Sequence, residues 1–225
     1  MRIDVAFTPA EAAPAPIAIV VDVLRATSTI AQALAGGYRR VLCCAEIEEA
    51  LELRAEVPDA IVGGERDARQ VEGFDVGASP REFLDAQAET LILSTTNGTR
   101  AILRAAKRCD EVLLGSLLNL AAVARVIEGV DSVVVCAGFK GAFALDDAYC
   151  AGRIVQLVGS DRSDAAIAAE LVAGAFPTAL DGLNARTYGP PGLELDIAYC
   201  AQENILDLVP RLTGMVGPAA EIVPS

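Results

Sequence analysis

The chain contains no histidine. That argues against histidine-based triads, phosphohistidine chemistry and zinc sites built on imidazole. Its six cysteines, Cys43, Cys44, Cys109, Cys136, Cys150 and Cys200, include no C-x-x-C pair, and none has Arg six positions later. Zinc knuckles and thiol phosphatase chemistry are therefore not expected, and the thiols read as buried and reduced, as in a cytoplasmic protein. Lysine is scarce: the 18 basic residues are 16 Arg with only Lys107 and Lys140, against 31 Asp plus Glu, for a net charge of -13. They form no basic run, so nucleic acid is not an expected partner. Long apolar stretches are missing too. None reaches the ~18 residues of a spanning helix. The first 16 residues carry Asp4, Glu11 and several Pro without a basic region followed by an apolar core. Neither a membrane anchor nor a signal peptide is expected.

What is present is an apolar-rich chain of 225 residues, 53% hydrophobic and 22% charged. That is ample material for a core, and no linker divides it, so we expect one α/β domain over residues 1–225. The chain is organised around residues 91–107, LILSTTNGTRAILRAAK. The run Leu91-Ile92-Leu93 has the length and type of a buried parallel strand. It stops at Ser94-Thr95-Thr96-Asn97-Gly98-Thr99, after which Ala101, Ile102, Ala105 and Ala106 fall on one helical face. Small hydroxyl residues, Asn and Gly between a strand and a helix leave backbone N–H groups pointing outward, and the helix dipole favours an anion there. Simple helix capping accounts for the same residue types. Arg100, in the first turn, adds a guanidinium fork suited to phosphate, carboxylate or sulfonate.

Residues 17–34, IAIVVDVLRATSTIAQAL, repeat the design. An apolar run ends at Asp22, Arg25 follows, then Thr27-Ser28-Thr29 and a helical pattern. In open α/β sheets, ligands bind beyond the carboxyl ends of strands. Two such ends, each with hydroxyls and an Arg, point to one polyanionic ligand, with Asp22 free to hold a metal.

Taken in order, residues 3–7 alternate as a first strand and residues 8–16 form a Pro- and Ala-rich loop. Gly36-Gly37 end the first helix. Residues 41–44 and 60–62 read as strands around a helix at 46–55. Residues 63–80, GGERDARQVEGFDVGASP, form a long Gly-rich loop whose Phe74 and Val76 suit a packed active-site loop, with Glu65, Arg66 and Asp75 as polar candidates. Strands are expected at 111–114 and 132–136, with a helix at 117–127 between them. Asp146 and Asp147 open a helix that runs to 158. There they either compensate the dipole or face Asp22 as metal ligands. Helices follow within 163–180, a Gly/Pro segment at 184–195, then a helix from 195 to 208. The tail from 210 is read as a short edge strand.

Together the segments VDVLRATSTI, GGERDARQVEGFDVGASP, LSTTNGTRAI, LLGSLLNLAAVA, VCAGFKGAFALDDAYCAG and DIAYCAQENILDLVP resemble the 2-phosphosulfolactate phosphatase family, the ComB-like proteins. They occur in order over nearly the whole chain. The resemblance implies a three-layer α/β/α fold with a mixed, mostly parallel sheet. It implies Mg²⁺-dependent hydrolysis of 2-phosphosulfolactate to sulfolactate and phosphate, a step of coenzyme M synthesis in some organisms. Two stretches depart from the family pattern. Gly77-Ala78-Ser79-Pro80 stands where the family has Gly-Asn-Ser-Pro, and Arg186-Thr187-Tyr188-Gly189 stands where the family has an Arg-His-Gly-like stretch.

On this reading Asp22, Glu65 and Asp146 or Asp147 hold Mg²⁺, which keeps several waters and prefers oxygen ligands. Asp22, Arg25 and Arg100 carry the chemistry. Thr27, Ser28, Thr29, Arg66, Thr95, Thr96, Asn97, Gly98 and Thr99 bind the anionic phosphate ester, and Arg69 is a further candidate. Two alternatives stay open: a phosphatase for another 2-hydroxy-acid phosphate, and a non-catalytic binder of a phosphorylated or sulfonated metabolite. The apolar, Gly/Ala-rich helices are compatible with a homodimer.

Overall fold

The computed structural model describes residues 1–159 and 161–225. Its elements begin with β1 (Arg2–Ala6), β2 (Ile17–Val21), α1 (Ala26–Ala35), β3 (Arg40–Cys44), α2 (Ile47–Glu56), β4 (Ala60–Arg66) and β5 (Arg69–Gln70). Next come β6 (Thr90–Ser94), α3 (Gly98–Ala105), β7 (Glu111–Gly115), α4 (Leu120–Ile127), β8 (Ser132–Cys136) and α5 (Leu145–Leu157). The chain closes with β9 (Asp161–Arg162), α6 (Asp164–Gly174), α7 (Ala179–Asn184), α8 (Glu194–Cys200), β10 (Pro210–Val216) and β11 (Ala219–Pro224). Among the described residues no helix is long and apolar enough to cross a membrane.

β2, β6 and β8 are buried along their whole length, as parallel strands covered on both faces must be. Alternation within each strand sorts the core into layers. Ile17, Ile19 and Val21 enter one core together with Val123, Ile154 and Ala169 from α4, α5 and α6. Ala18 and Val20 enter the opposite core with Ile30, Leu34 and Ile102 from α1 and α3. α2 covers Leu42, Cys44 and Ile92. The outcome is a sheet between two helical layers, the expected three-layer α/β/α arrangement.

The strand order is β5-β4-β6-β3-β11-β10-β7-β2-β8-β1-β9. β4, β6 and β3 pair in parallel, as do β7, β2, β8 and β1. The C-terminal residues expected to form an edge strand instead form a hairpin in the middle of the sheet. Ala220 and Ile222 of β11 pair with Cys43 and Val41 of β3, and Arg211 of β10 pairs with Leu113 of β7. Buried Ala220 and Ile222 enter the core under α1 and α3 and buried Ala219 the cluster under α2, which an edge position would not require. Three successive antiparallel pairings make the two parallel groups run in opposite directions. The carboxyl ends of β2 and β6 are therefore not neighbours along one sheet edge. They meet because the start of α3 packs on α1 and β2.

Three other expectations shift. The strand expected at 60–62 continues to Arg66, because Gly64, at φ +153°, brings its backbone against Ser94; a Cβ there would lie 2.1 Å from the Ser94 carbonyl oxygen. The helix expected at 117–127 opens with a separate 3₁₀ turn, Leu117–Asn119. The Asn119 side chain accepts from Ser116 N–H at 2.9 Å and donates to the carbonyls of Leu114 and Leu208. The helix expected to run to 208 stops at Cys200. Beyond it, the Asn204 and Leu206 N–H groups donate to the Leu117 and Leu118 carbonyls instead of continuing a helical ladder.

Candidate active site

Asp22 follows the last residue of β2 and is 7% exposed. Its Oδ1 accepts the Ala26 N–H at 3.3 Å at the entry to α1. The hydroxyls after it serve the protein itself. Thr27 Oγ1 donates to the Asp22 carbonyl, Ser28 Oγ to the Val23 carbonyl and Thr29 Oγ1 to the Ala78 carbonyl. The Thr27 and Thr29 amides donate to the Asp22 and Arg25 carbonyls. This first turn is a clamp around Asp22 rather than an open anion cradle. Arg25 is likewise engaged, giving Nη1 to Asp196 at 2.5 Å and Nη2 to the Ala68 carbonyl.

The second turn is different. Thr95 and Thr99 exchange hydroxyl and amide bonds, so the Thr99 amide in the first turn of α3 is already taken by the Thr95 hydroxyl, and both residues are buried. The Thr96 N–H donates to Glu65 Oε1 at 2.8 Å. The Asn97 and Gly98 amides have no acceptor among the described residues, and Thr96 Oγ1 is buried with no partner. An N-terminal turn with unpaired donors is suited to an anion. Gly98 packs on Asp22 and Ala26. Arg100 points outward, 49% exposed, and pairs with Glu46 on the surface, so the structure does not bring it to this turn.

The Gly-rich segment after β4 folds back onto it. Asp75 accepts from Val62 N–H and from Arg54, and Phe74 is buried, so this part of the loop is packed. Both Glu65 oxygens are taken by amides, of Thr96 and Ala68. Arg66 donates to the carbonyls of Glu65, Ser94 and Ala45 and to Ser94 Oγ.

The third strand end, after β8, leads into α5. Asp147 is fully enclosed and accepts the Val23 and Gly138 amides at 2.9 and 3.0 Å. It ties two strand ends together from behind the site. Asp146 Oδ1 accepts from Asp147 N–H and from the Tyr188 hydroxyl. Tyr188 stacks on Phe139 with ring centroids 4.3 Å apart.

These ends enclose a cavity of about 550 Å³. Of the residues singled out in the sequence, Asp22, Arg25, Glu65, Arg66, Arg69, Thr95, Thr96, Asn97 and Asp146 line it; Thr27, Ser28, Thr29, Gly98, Thr99, Arg100 and Asp147 do not. Asp67, Phe139 and Tyr188 line it without having been assigned a role in the sequence, and Arg186 lines it beside them. For Arg186 and Tyr188 the signal was the Gly/Pro segment 184–195, which shows no periodicity. Ala78 also lines the cavity, whereas Thr187, in the other departing stretch, is exposed and outside it.

Burial and the facing carboxylates Glu65 and Asp146 push the Asp22 carboxyl up to about 7, against the opposing pull of the Ala26 amide and Arg25. Burial also raises Asp146, and burial with Asp146 and Asp22 raises Asp147 well above the carboxylate range. Like charges crowded in this way favour a cation between them. No group of three or more His, Cys, Asp or Glu among the described residues is arranged to hold a metal unaided. Mg²⁺ does not need one, because it binds through one or two carboxylates plus waters and substrate phosphate. Asp22 Oδ2 and Asp146 Oδ2 have no hydrogen-bond partner among the described residues. That donor set fits Mg²⁺.

Comparison with known proteins identifies the family. The family profile described as 2-phosphosulpholactate phosphatase matches residues 5–215. A Clostridium acetobutylicum protein named "Probable 2-phosphosulfolactate phosphatase" is 40% identical over 214 residues, covering 87% of this chain and 89% of that protein. Proteins of the same name from Thermotoga maritima and Thermus thermophilus are 36% and 37% identical, covering 95% and 97% of this chain and 96% and 98% of their own lengths. The chain belongs to the 2-phosphosulpholactate phosphatase family.

Proposed function

We propose that this member of the family is a Mg²⁺-dependent phosphomonoesterase converting 2-phosphosulfolactate and water to sulfolactate and inorganic phosphate. One observation carries the reading. Asn97, whose amide is unpaired, and Thr96, whose hydroxyl is unpaired, line the same cavity as Asp22 and Asp146, each of which keeps one unshared oxygen. The relatives' printed name supplies the substrate.

The chain's own residues bind and orient the ester. The start of α3 takes phosphoryl oxygens on its amides, where the helix dipole adds to their attraction. Asp22 and Asp146 would hold Mg²⁺, which supplies charge neutralisation on the phosphoryl group and acidifies a water. Glu65, held by two amides, locks the Gly-rich loop to the start of α3 and adds negative charge to the carboxylate cluster. In the overall reaction the phosphorus–ester oxygen bond breaks, the water oxygen joins phosphorus, and a water proton ends on the released hydroxyl. Donors fixed before the reaction cost no reorganisation when charge develops.

Ala78 in the cavity wall, where the family pattern has Asn, supports a substrate preference that extends to related 2-hydroxy-acid phosphates. The test is phosphate release from 2-phosphosulfolactate, phospholactate and phosphoglycolate, with Mg²⁺ and with chelator. Chelator-sensitive release, fastest from 2-phosphosulfolactate, is expected. Binding without release from any of them would make the protein a metabolite binder instead.

A further inference from the structure

Four Arg residues line the cavity, and in two of them both Nη atoms are already engaged by the protein. Arg25 is held by Asp196 and the Ala68 carbonyl, and Arg66 by three carbonyls and Ser94 Oγ. Arg69 and Arg186 differ. The Arg69 backbone pairs with Arg66 between β4 and β5, but its side chain has no hydrogen-bond or ion-pair partner among the described residues. Arg186 is half-buried, and among the described residues its side chain makes one hydrogen bond, from Nε to the Tyr188 carbonyl at 3.1 Å. That bond aims the group while leaving Nη1 and Nη2 without acceptors. The segment that carries Arg186 is itself fixed over the cavity. Tyr188 donates to Asp146 and stacks on Phe139, and Gly189 and Gly192, at φ +95° and +93°, turn the chain.

A guanidinium with two parallel unpaired N–H donors matches one oxyanion bidentately. The phosphoryl position is already served by the start of α3. We infer that Arg186 is the specificity-determining residue for the second oxyanion of the substrate, a carboxylate or a sulfonate, with Arg69 at the cavity mouth reinforcing it. The inference rests on the phosphatase reading for the phosphoryl position, but its own geometry is separate. It also accounts for an acidic protein with -13 net charge accepting a polyanion. The local guanidinium groups, not the global charge, face the ligand.

The experiment compares wild type with Arg186→Gln, Arg186→Lys and Arg69→Gln on four Mg²⁺-supplemented esters. 2-Phosphosulfolactate has both oxyanions, phospholactate only the carboxylate, the phosphate ester of 2-hydroxyethanesulfonate only the sulfonate, and phenyl phosphate neither. For Arg186→Gln, kcat/KM for the acidic esters relative to phenyl phosphate should fall by about tenfold to hundredfold, chiefly through KM. Arg186→Lys should retain part of the ratio and Arg69→Gln most of it. Whichever single-oxyanion ester loses its advantage identifies the group Arg186 binds. An unchanged ratio, or an equal fall on phenyl phosphate, would overturn the assignment. Calorimetric titration with sulfolactate and lactate separates this inference from the phosphatase reading, because it needs no turnover. If wild type hydrolyses nothing yet binds sulfolactate at least tenfold more tightly than Arg186→Gln, the phosphatase reading falls and this one stands. Equal binding by the two proteins removes this one.

Discussion

Gly98 touches Asp22: a Cβ on Gly98 would lie 2.6 Å from Asp22 Oδ2 and 2.4 Å from the Ala26 Cβ. The start of α3 and the end of β2 therefore share one surface, with no room for a side chain between them. Gly98→Ala must push α3 away from Asp22. We expect a loss of about 1 to 3 kcal/mol in stability, as for other over-packed positions. Activity should fall further than stability explains, because the Asn97 and Gly98 amides move with the helix. Wild-type activity in a folded Gly98→Ala protein would show that this contact does not align the site.

Asp22→Asn should abolish turnover and yet stabilise the metal-free protein at neutral pH. The Asp22 carboxyl lies at about 7 in the folded protein against 3.8 as its ordinary value. Between those values the folded state holds a proton that the unfolded state has lost, so stability falls as pH rises across that window. Asn carries no such charge. In chelator at pH 8 its Tm should exceed that of wild type by a few degrees, with the gap closing toward pH 4. Mg²⁺ should raise the wild-type Tm more at pH 8 than at pH 5. Equal melting of the two proteins at pH 8 would remove the buried-charge argument.

Arg25 and Asp196 form a buried pair at 2.5 Å, each side chain 8% exposed, and Ser79 Oγ donates to the same carboxylate at 2.6 Å. Asp196→Ala leaves the guanidinium enclosed without its counter-charge. Such losses cost about 3 to 5 kcal/mol. Urea unfolding would measure it. A change below 1 kcal/mol, on the ordinary scale of an exposed pair, would mean that the pair is solvated.

Five of the six thiols are buried and Cys109 is half-buried. Burial pushes Cys44 and Cys200 up to about 12, and a thiolate is the species that reacts. A thiol reagent at pH 8 should therefore modify Cys109 in the native protein and all six cysteines after denaturation. Rapid native labelling of Cys43 or Cys136 would contradict the packing of β3 and β8.

Where continuous apolar runs form strands, the sequence was easy to read. Residues 132–136 and 91–94 are buried on both faces, and nothing local competes with that assignment. The three strand ends with Asp22, Thr96 and Asp146 were legible for the same reason: short polar turns stand out between apolar runs. The C-terminal hairpin was not. Its Gly217-Pro218 turn marks a reversal, but whether β10 and β11 sit at an edge or in the centre depends on β3 and β7, more than 90 residues away.

The sequence by itself determined which strand ends carry carboxylates and small hydroxyl residues, because turn chemistry and apolar periodicity are local. It also determined the family, through motifs spread along the whole chain. Tertiary structure alone decided what each polar group is bonded to. Arg25 is occupied by Asp196, 171 residues away, and Thr29 by the Ala78 carbonyl, 49 residues away. Arg186, from a segment without periodicity, faces the cavity with its Nη atoms unpaired. A guanidinium or an amide is available to a ligand only when no partner within the fold has already satisfied it, and those partners come from anywhere in the chain.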